Sequence, residues 1–223
     1  MKTVITGTSR GIGLELTKQA LENGDQVMAY ARNPQGSRQL MQLEREYPQL
    51  LSVAAVDVAS ADAAEKIIST LKSWSHVDTL INNAGILTQG TSRQDFLDSF
   101  TTNSIAPFEI ATALLQWLKK SASAKVVNVT SLMGSVEDND SGGYYAYRSS
   151  KCALNIINKS FSLDHKWLTT VVIHPGWVQT DMGGRGAPTS AEESALGIWT
   201  VTRNLKLSNS GEFCDYRGKQ LSW

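Results

Sequence analysis

The stretch Lys2-Thr-Val-Ile-Thr-Gly-Thr-Ser-Arg-Gly-Ile-Gly-Leu14 decides the fold class of this chain. Its first five residues are a short apolar run typical of a buried strand, and a helical pattern of apolar residues follows Gly13. Glycines at 7, 11 and 13 permit a tight turn, a close backbone approach to a ligand, and close packing of helix on strand. The helix N-terminus would offer unpaired N–H groups to a pyrophosphate. Strand, turn and helix in this order predict a dinucleotide-binding unit.

Strand and helix patterns alternate along the rest of the chain. After the first strand, strands are predicted at 26–31, 51–56, 77–81, 125–130 and 169–174, and residues 211–223 are read as a tail. Helical patterns fill the intervals, and no composition shift or internal repeat divides the chain. The sequence therefore predicts one domain over residues 1–223, an α/β, Rossmann-like, doubly wound sheet of about seven mostly parallel strands.

Composition excludes several classes of function. The formal net charge is zero, so nothing indicates a nucleic acid or an anionic membrane as partner. The N-terminal apolar run is too short for a signal peptide, and no segment reaches about 18 apolar residues. Cys152 and Cys214 lack metal-like spacing, and His76, His165 and His174 are scattered, so no metal site is expected. A cytoplasmic location is the default expectation.

Tyr147 and Lys151 are four residues apart at the start of a helical pattern, so they should share one helix face. A phenol with a pKa of about 10 is a poor proton donor or acceptor at neutral pH unless a nearby cation favours its phenolate. Lys151 can supply that charge. A solvated surface pair is the alternative, and two other pairs have the same spacing, Tyr144 with Arg148 and Tyr145 with Ser149.

Four motifs together resemble the short-chain dehydrogenase/reductase family. They are the glycine-rich turn, Asn82-Asn83-Ala84-Gly85 after the fourth strand, Ser131 at the end of the next, and Tyr147-x-x-x-Lys151. The resemblance covers essentially the whole chain, and the aromatic residues of the tail resemble those of C-factor-like and sniffer-like carbonyl reductases. It implies reversible hydride transfer between NADP(H) and a small-molecule carbonyl or alcohol.

The resemblance also implies four catalytic residues. Ser131 would orient the carbonyl oxygen, Tyr147 would donate the proton, and Lys151 would stabilise the phenolate and bind the nicotinamide ribose. Asn103 would bend its helix upstream of Pro107 and hold a water that links Lys151 to solvent. The alternatives are Ser135 in place of Ser131, and Asn103 as an ordinary polar helix residue.

Cofactor contacts are expected at the carboxyl ends of the strands. The implied set is Gly7, Ser9, Arg10, Gly11, Ile12, Gly13, Arg32, Asp57, Val58, Asn83, Ala84, Gly85, Tyr147, Lys151, Pro175, Gly176, Val178 and Thr180. Asp57 would meet the adenine ring, although it could also cap a helix that starts near residue 61. The segment 177–189 is expected to form a glycine-rich lid over the nicotinamide.

Two arginines predict NADP(H) rather than NAD(H). Arg32 follows the second strand where an arginine can meet the 2′-phosphate, and Arg10 lies inside the glycine-rich turn. Asp25 precedes the strand and should lie at the wrong end of the sheet for a ribose contact. The alternative is that both arginines are solvated surface charges.

Related reductases pair their long helices, which here would be 93–120 and 144–165, so the resemblance implies a homo-oligomer, most simply a dimer. Ile105, Leu115 and Phe161 would lie either in that interface or in the core. The substrate pocket, bounded by 136–143 and 177–189, suggests a fairly apolar molecule without naming one. The alternative function is an NADPH-binding signalling or sensor protein with little catalysis.

Overall fold

The computed structural model describes all 223 residues and is built on one seven-stranded sheet in which every neighbouring pair of strands is parallel. The strands are β1 Lys2–Thr6, β2 Gln26–Ala31, β3 Leu51–Ala55, β4 Thr79–Asn82, β5 Lys125–Val129, β6 Thr169–His174 and β7 Glu212–Asp215. Their order is β3-β2-β1-β4-β5-β6-β7. The strands β2 and β3 are added on one side of β1, and β4 to β7 are added on its other side. This change of side opens a crevice at the carboxyl ends of β1 and β4. The predicted fold class is confirmed.

Helices cover both faces of the sheet. They are α1 Gly11–Glu22, α2 Arg38–Glu46, α3 Ala63–Thr70, α4 Arg93–Phe100, α5 Ala106–Ala113, α6 Leu115–Leu118, α7 Tyr145–Asp164 and α8 Ala191–Asn204. Short 3-10 turns occupy Pro34–Gly36, Leu132–Gly134 and Leu207–Asn209. No helix is both long enough and apolar enough to cross a membrane.

The apolar core lies in two layers, one on each face of the sheet. On one face Val4, Leu80 and Val126 pack with side chains of α3 and α5, and on the other Ile5 and Ile81 pack with α1 and α8. Successive strand residues point to opposite faces, so a parallel strand covered on both sides needs a continuous apolar run. This double burial holds the carboxyl ends of the strands, where the functional residues lie, in fixed positions.

The seventh strand lies in the segment that the sequence indicated only as a tail. β7 pairs with β6, and the chain then folds back, with Leu221 N–H donating to the Phe213 carbonyl. Trp223 closes this return, because its carbonyl accepts the Glu137 N–H at 3.0 Å and its ring packs on Phe213. A four-residue edge strand has too little hydrophobic pattern to be read from sequence, and its pairing with β6 defines it.

The predicted long helix over 93–120 is divided into pieces. α4 runs into a π-helical turn at Thr101–Ile105, and α5 follows directly. Pro107 has no N–H to donate, and the irregular turn lies just upstream of it, as expected. Asn103 is at the centre of that turn. A further break at Leu114, between α5 and α6, was not predicted from the sequence.

Candidate active site

The glycine-rich turn joins β1 to α1 with very little free space. Gly7 and Gly11 adopt left-handed backbone angles, with φ of 72° and 55°. A β-carbon at Gly13 would collide with the Gly7 carbonyl group, so α1 starts closer to β1 than any other residue would allow. Arg10 precedes α1 without a side-chain cap. The first N–H groups of α1 therefore remain available to a ligand.

Asn83 holds this turn in place through its side-chain amide. Its Nδ2 donates to the carbonyls of Thr6 and Gly7 at 3.0 and 3.1 Å. In return the Thr6 hydroxyl accepts the N–H groups of Asn83 and Ala84, both at 3.1 Å. Thr6 belongs to none of the motifs that predicted the site. A Thr that ends a strand beside an Asn-Asn-Ala-Gly turn is the only local signal that could have indicated this role.

Ser131, Tyr147 and Lys151 are buried together where β5 ends and α7 begins. The Lys151 ammonium donates to the Val129 carbonyl at 2.9 Å, and it lies 6.0 Å from the centre of the Tyr147 ring. The Ser131 hydroxyl accepts the Met133 N–H at 3.1 Å, which leaves its own proton free to donate. The structure thus brings the three predicted residues together, and the solvated-pair alternative for Tyr147 and Lys151 is wrong.

Burial controls the protonation of both ionisable groups in this cluster. Burial lowers the pKa of Lys151 from 10.5 to about 8, since the ammonium ion loses hydration and has no carboxylate partner. Burial also raises the pKa of Tyr147 above 10, and the nearby Ser131 hydroxyl offsets part of this effect. The spacing led us to expect that Lys151 lowers the pKa of Tyr147, but the structure shows no such contribution, and burial is the largest influence on that pKa.

Asn103 is fully engaged in hydrogen bonds. Its Oδ1 accepts the Ile86 N–H at 2.9 Å, and its Nδ2 donates to the Ile86 carbonyl and the Ser150 hydroxyl, both at 3.0 Å. A β-carbon at Gly85 would lie 3.1 Å from Asn103 Oδ1 and 3.5 Å from Lys151 Nζ, so these two side chains face each other across Gly85. Asn103 thus ties the segment after β4 to α7 beside Lys151.

The segment after β6 lies against the glycine-rich turn. Gly176 has a φ of 87°, and a β-carbon there would lie 2.9 Å from the Tyr216 ring. A β-carbon at Gly11 would lie 3.0 Å from the Thr180 methyl group, while the Thr180 hydroxyl accepts the Gly183 N–H at 3.1 Å. Thr180 thus lies directly beside the first residue of α1, at the glycine-rich turn.

Other predicted contacts after β6 and at the start of α1 are partly enclosed by the protein. The Pro175 carbonyl accepts the Ser194 hydroxyl proton at 2.7 Å, and Val178 is buried. Ile12 packs partly against the core. The Ser9 carbonyl accepts a hydrogen bond from the Ser37 hydroxyl at 2.6 Å. These residues can still offer backbone atoms to a ligand.

Asp57 is exposed after β3, and its Oδ1 accepts the Ala59 N–H at 3.1 Å. The helix that follows begins only at Ala63, with Asp62 at its N-cap, so the capping alternative for Asp57 is wrong. Val58 is buried in the core, so its side chain is not available to a ligand.

Arg32, Arg10 and Asp25, the charged residues considered for the ribose and its phosphate, differ in their surroundings. Arg32 is exposed directly after β2, whereas Arg10 forms an ion pair with Asp181 at 2.6 Å, both side chains being 71% exposed. Arg10 thus has a carboxylate partner within the protein. Asp25 binds the α-amino group of Met1 at 2.9 Å at the amino end of β2, which agrees with its exclusion as a ribose contact.

No group of three or more His, Cys, Asp and Glu side chains is placed to hold a metal ion.

Comparison with known proteins identifies the family. A model of the short chain dehydrogenase family matches residues 2–190. C-signal of Myxococcus xanthus is 44% identical over 154 residues, which cover 66% of this chain and 93% of that protein. The carbonyl reductase Sniffer of D. melanogaster superposes with a TM-score of 0.95 at 32% identity, over 100% of this chain and 99% of that one. The NADPH-bound carbonyl reductase from chicken fatty liver gives a TM-score of 0.92 at 32% identity, over 100% and 98%. The glycine-rich turn, the buried Ser131, Tyr147 and Lys151, and these similarities together show that the chain belongs to the short-chain dehydrogenase family.

Proposed function

We propose that this chain is an NADP(H)-dependent oxidoreductase of the carbonyl reductase type, which interconverts an aldehyde or ketone and an alcohol. One observation carries the proposal. Lys151 is 4% exposed, bears no ion pair, and donates a hydrogen bond only to the Val129 carbonyl. A buried ammonium ion without a counter-ion lowers stability, and such groups are concentrated at functional sites. Packing alone gives no reason for a lysine at this position.

The crevice between β1 and β4 fits a dinucleotide. Gly7, Gly11 and Gly13 let the turn pack closely against its neighbours where a β-carbon would collide, and α1 begins there without a side-chain cap on its N–H groups. Arg32 is exposed where β2 ends, in position to meet a 2′-phosphate. The similar chicken carbonyl reductase holds NADPH. These features support NADP(H) as the cofactor.

NADPH, when bound, supplies the hydride that the carbonyl carbon accepts. The Ser131 hydroxyl is free to donate to the substrate oxygen and to orient it. Tyr147 then gives its proton to that oxygen, so that the carbonyl becomes an alcohol. Lys151 beside the phenol stabilises the resulting phenolate, and with a pKa of about 8 it can exchange a proton with water near neutral pH. Asn103 holds the strand extension at Ile86 and the helix residue Ser150 in register around Lys151.

Replacement of the phenol tests this role. Tyr147→Phe should reduce turnover of aldehydes, ketones and quinones roughly 100- to 10,000-fold, because the positioned proton donor is lost. NADPH affinity, measured by calorimetry, should remain within a few-fold of the parent. Tyr145→Phe is the matched control, since Tyr145 is exposed and lies on the same helix. Retained turnover in Tyr147→Phe would show that another group donates the proton.

The cofactor preference is tested separately. Arg32→Ala should weaken NADPH binding about tenfold or more and leave NADH binding nearly unchanged, since a charge-assisted hydrogen bond contributes about 1.5 to 3 kcal/mol. Dissociation constants for both cofactors would be measured at low and moderate salt. Equal affinity of the parent for NADPH and NADH would contradict the proposed preference.

A signalling role is the second candidate, and the 44% identity to the protein named C-signal is the observation that favours it. The buried and unpaired Lys151 weighs against a pure sensor, because a sensor has no need of a proton donor and its activating cation. A parent protein that binds NADPH but reduces none of a broad panel of carbonyl compounds would favour the signalling role.

The homo-oligomer stays a prediction. Ile105 of the π-helical turn and Phe108 of α5 are exposed, as a helix-pairing interface requires, whereas Phe161 belongs to the core and Leu115 packs partly against it. Light scattering at micromolar concentration measures the state directly, and a monomer would exclude the dimer.

A further inference from the structure

Tyr144 is the only residue other than glycine with a positive φ. Its angles, φ 47° and ψ 37°, lie in the left-handed region, directly before α7. Gly142 and Gly143 precede it with φ of 64° and 68°, so three successive residues share this conformation. Glycine adopts it without strain, whereas a residue with a β-carbon is destabilised there. A glycine at 144 would therefore suit the backbone better than the tyrosine that is present.

No hydrogen bond or ring pair within the protein accounts for a tyrosine side chain at 144. Tyr144 is 38% exposed, has no aromatic ring partner, and provides no side-chain cap to α7. Its phenol has no hydrogen-bond partner, in contrast to Tyr30, which pairs with Thr70. Its carbonyl accepts the Arg148 N–H at 2.9 Å, but this backbone contact is open to any residue. Backbone strain retained without a side-chain hydrogen bond or ring contact is typical of residues that act on a ligand.

The backbone around Tyr144 is firmly anchored to the site. The Arg148 guanidinium donates to the Ser141 hydroxyl at 2.8 Å and to the Gly142 carbonyl at 3.2 Å. Its third contact, at 3.5 Å, reaches the carbonyl of Met133, two residues after Ser131. Arg148 therefore ties the segment before α7 to the turn that carries Ser131. Tyr144 precedes the proposed proton donor Tyr147 by three residues, which is less than one helical turn.

Two further exposed apolar side chains lie in the segments that follow strands at the same carboxyl end of the sheet. Val136 follows β5 and is 72% exposed, and Trp177 follows β6 and is 59% exposed. The nearby loop carries Glu137, Asp138 and Asp140, whose charges would repel an anionic substrate. This end of the sheet thus combines exposed apolar side chains with net negative charge in the loop, which disfavours an anionic compound.

We propose that Tyr144 is a specificity-determining residue whose ring forms one wall of the substrate entrance and stacks on uncharged planar aromatic aldehydes and ketones. This inference rests on the proposed carbonyl reduction. Aromatic rings prefer offset-stacked or edge-to-face contact with another ring, and such contacts add to the burial of apolar area. The rigid left-handed backbone would hold the ring in place before the substrate arrives.

The test compares 2-naphthaldehyde with propanal as substrates of the parent, Tyr144→Gly and Tyr144→Phe. In Tyr144→Gly the ratio of kcat/KM for 2-naphthaldehyde to that for propanal should fall about five- to tenfold, mainly through KM. The melting temperature of this variant should equal or exceed that of the parent, since the backbone strain is removed. Tyr144→Phe should restore the ratio, because the ring and not the hydroxyl makes the contact. Tyr145→Ala, one residue further on, should keep the parent ratio.

An unchanged ratio in Tyr144→Gly would overturn the inference. A lower melting temperature together with an equal loss for both aldehydes would also overturn it, because Tyr144 would then have a structural role. Absence of turnover by the parent with either aldehyde, despite NADPH binding, would refute the proposed reduction itself, and the inference with it.

Discussion

Replacing the buried lysine by a neutral side chain of similar length should stabilise the cofactor-free protein. In the parent, burial lowers the pKa of Lys151 from 10.5 to about 8. One pKa unit corresponds to about 1.4 kcal/mol, so keeping the ammonium charged in the folded state costs about 3 kcal/mol. Lys151→Met removes this cost but leaves the Val129 carbonyl without its hydrogen bond. The lost hydrogen bond reduces the gain in stability by about 1 kcal/mol. The net gain is about 2 kcal/mol, or roughly 4 to 8 °C for a chain of this size.

The gain should depend on pH in a definite direction. Below the folded pKa of about 8, Lys151 is protonated in both the folded and the unfolded state, and the parent bears the full cost of burial. Between about 8 and 10.5 the unfolded chain still binds the proton while the folded chain has lost it. The parent therefore becomes more stable as pH rises through this window. The advantage of Lys151→Met should be largest near pH 6.5 and mostly lost near pH 10.

Urea unfolding of the cofactor-free proteins, followed by tryptophan fluorescence at several pH values between about 6.5 and 10, measures this difference. Lys159→Met is the matched control, because Lys159 lies on the same helix and is exposed. The control should show no comparable gain. The reasoning is refuted if Lys151→Met is less stable than the parent at pH 6.5, or if the difference does not change with pH. The same variant should lose carbonyl reduction.

Three further substitutions test the glycine-rich turn, the Arg10–Asp181 ion pair and the contact of the π-helical turn with α7. Gly13→Ala should weaken NADPH binding at least tenfold and lower the free energy of unfolding by about 1 to 3 kcal/mol, because the methyl group collides with the Gly7 carbonyl. Calorimetry measures the affinity, and melting curves measure the loss of stability. Asp181→Asn should raise NADPH affinity up to about fivefold, since it frees Arg10 from an exposed ion pair, and no change in the dissociation constant would mean that Arg10 does not meet the cofactor. Ser104→Ala should destabilise the protein by about 1 to 2 kcal/mol in urea, because its hydroxyl donates to the backbone of α7 at 2.7 Å, and an unaltered midpoint would contradict that role.

The predictions that rested on local geometry agree with the structure. Gly7 and Gly11 take the left-handed angles that a strand–turn–helix junction requires, and Tyr147 and Lys151 fall on one face of α7. Both features follow from the backbone within a few residues, so the amino-acid types are sufficient to indicate them. The irregular turn upstream of Pro107 was predictable for the same reason.

The sequence by itself thus determined the alternation of strands and helices, the dinucleotide-binding turn and the positions of Ser131, Tyr147 and Lys151. Only the tertiary structure decided the pKa of Lys151, because burial of its ammonium group lowers that pKa. The same holds for the pairing of Arg10 with Asp181, 171 positions further along the chain, which local patterns could not indicate. Desolvation and long-range pairing depend on which distant segments the sheet brings together, and no spacing within one segment records that information.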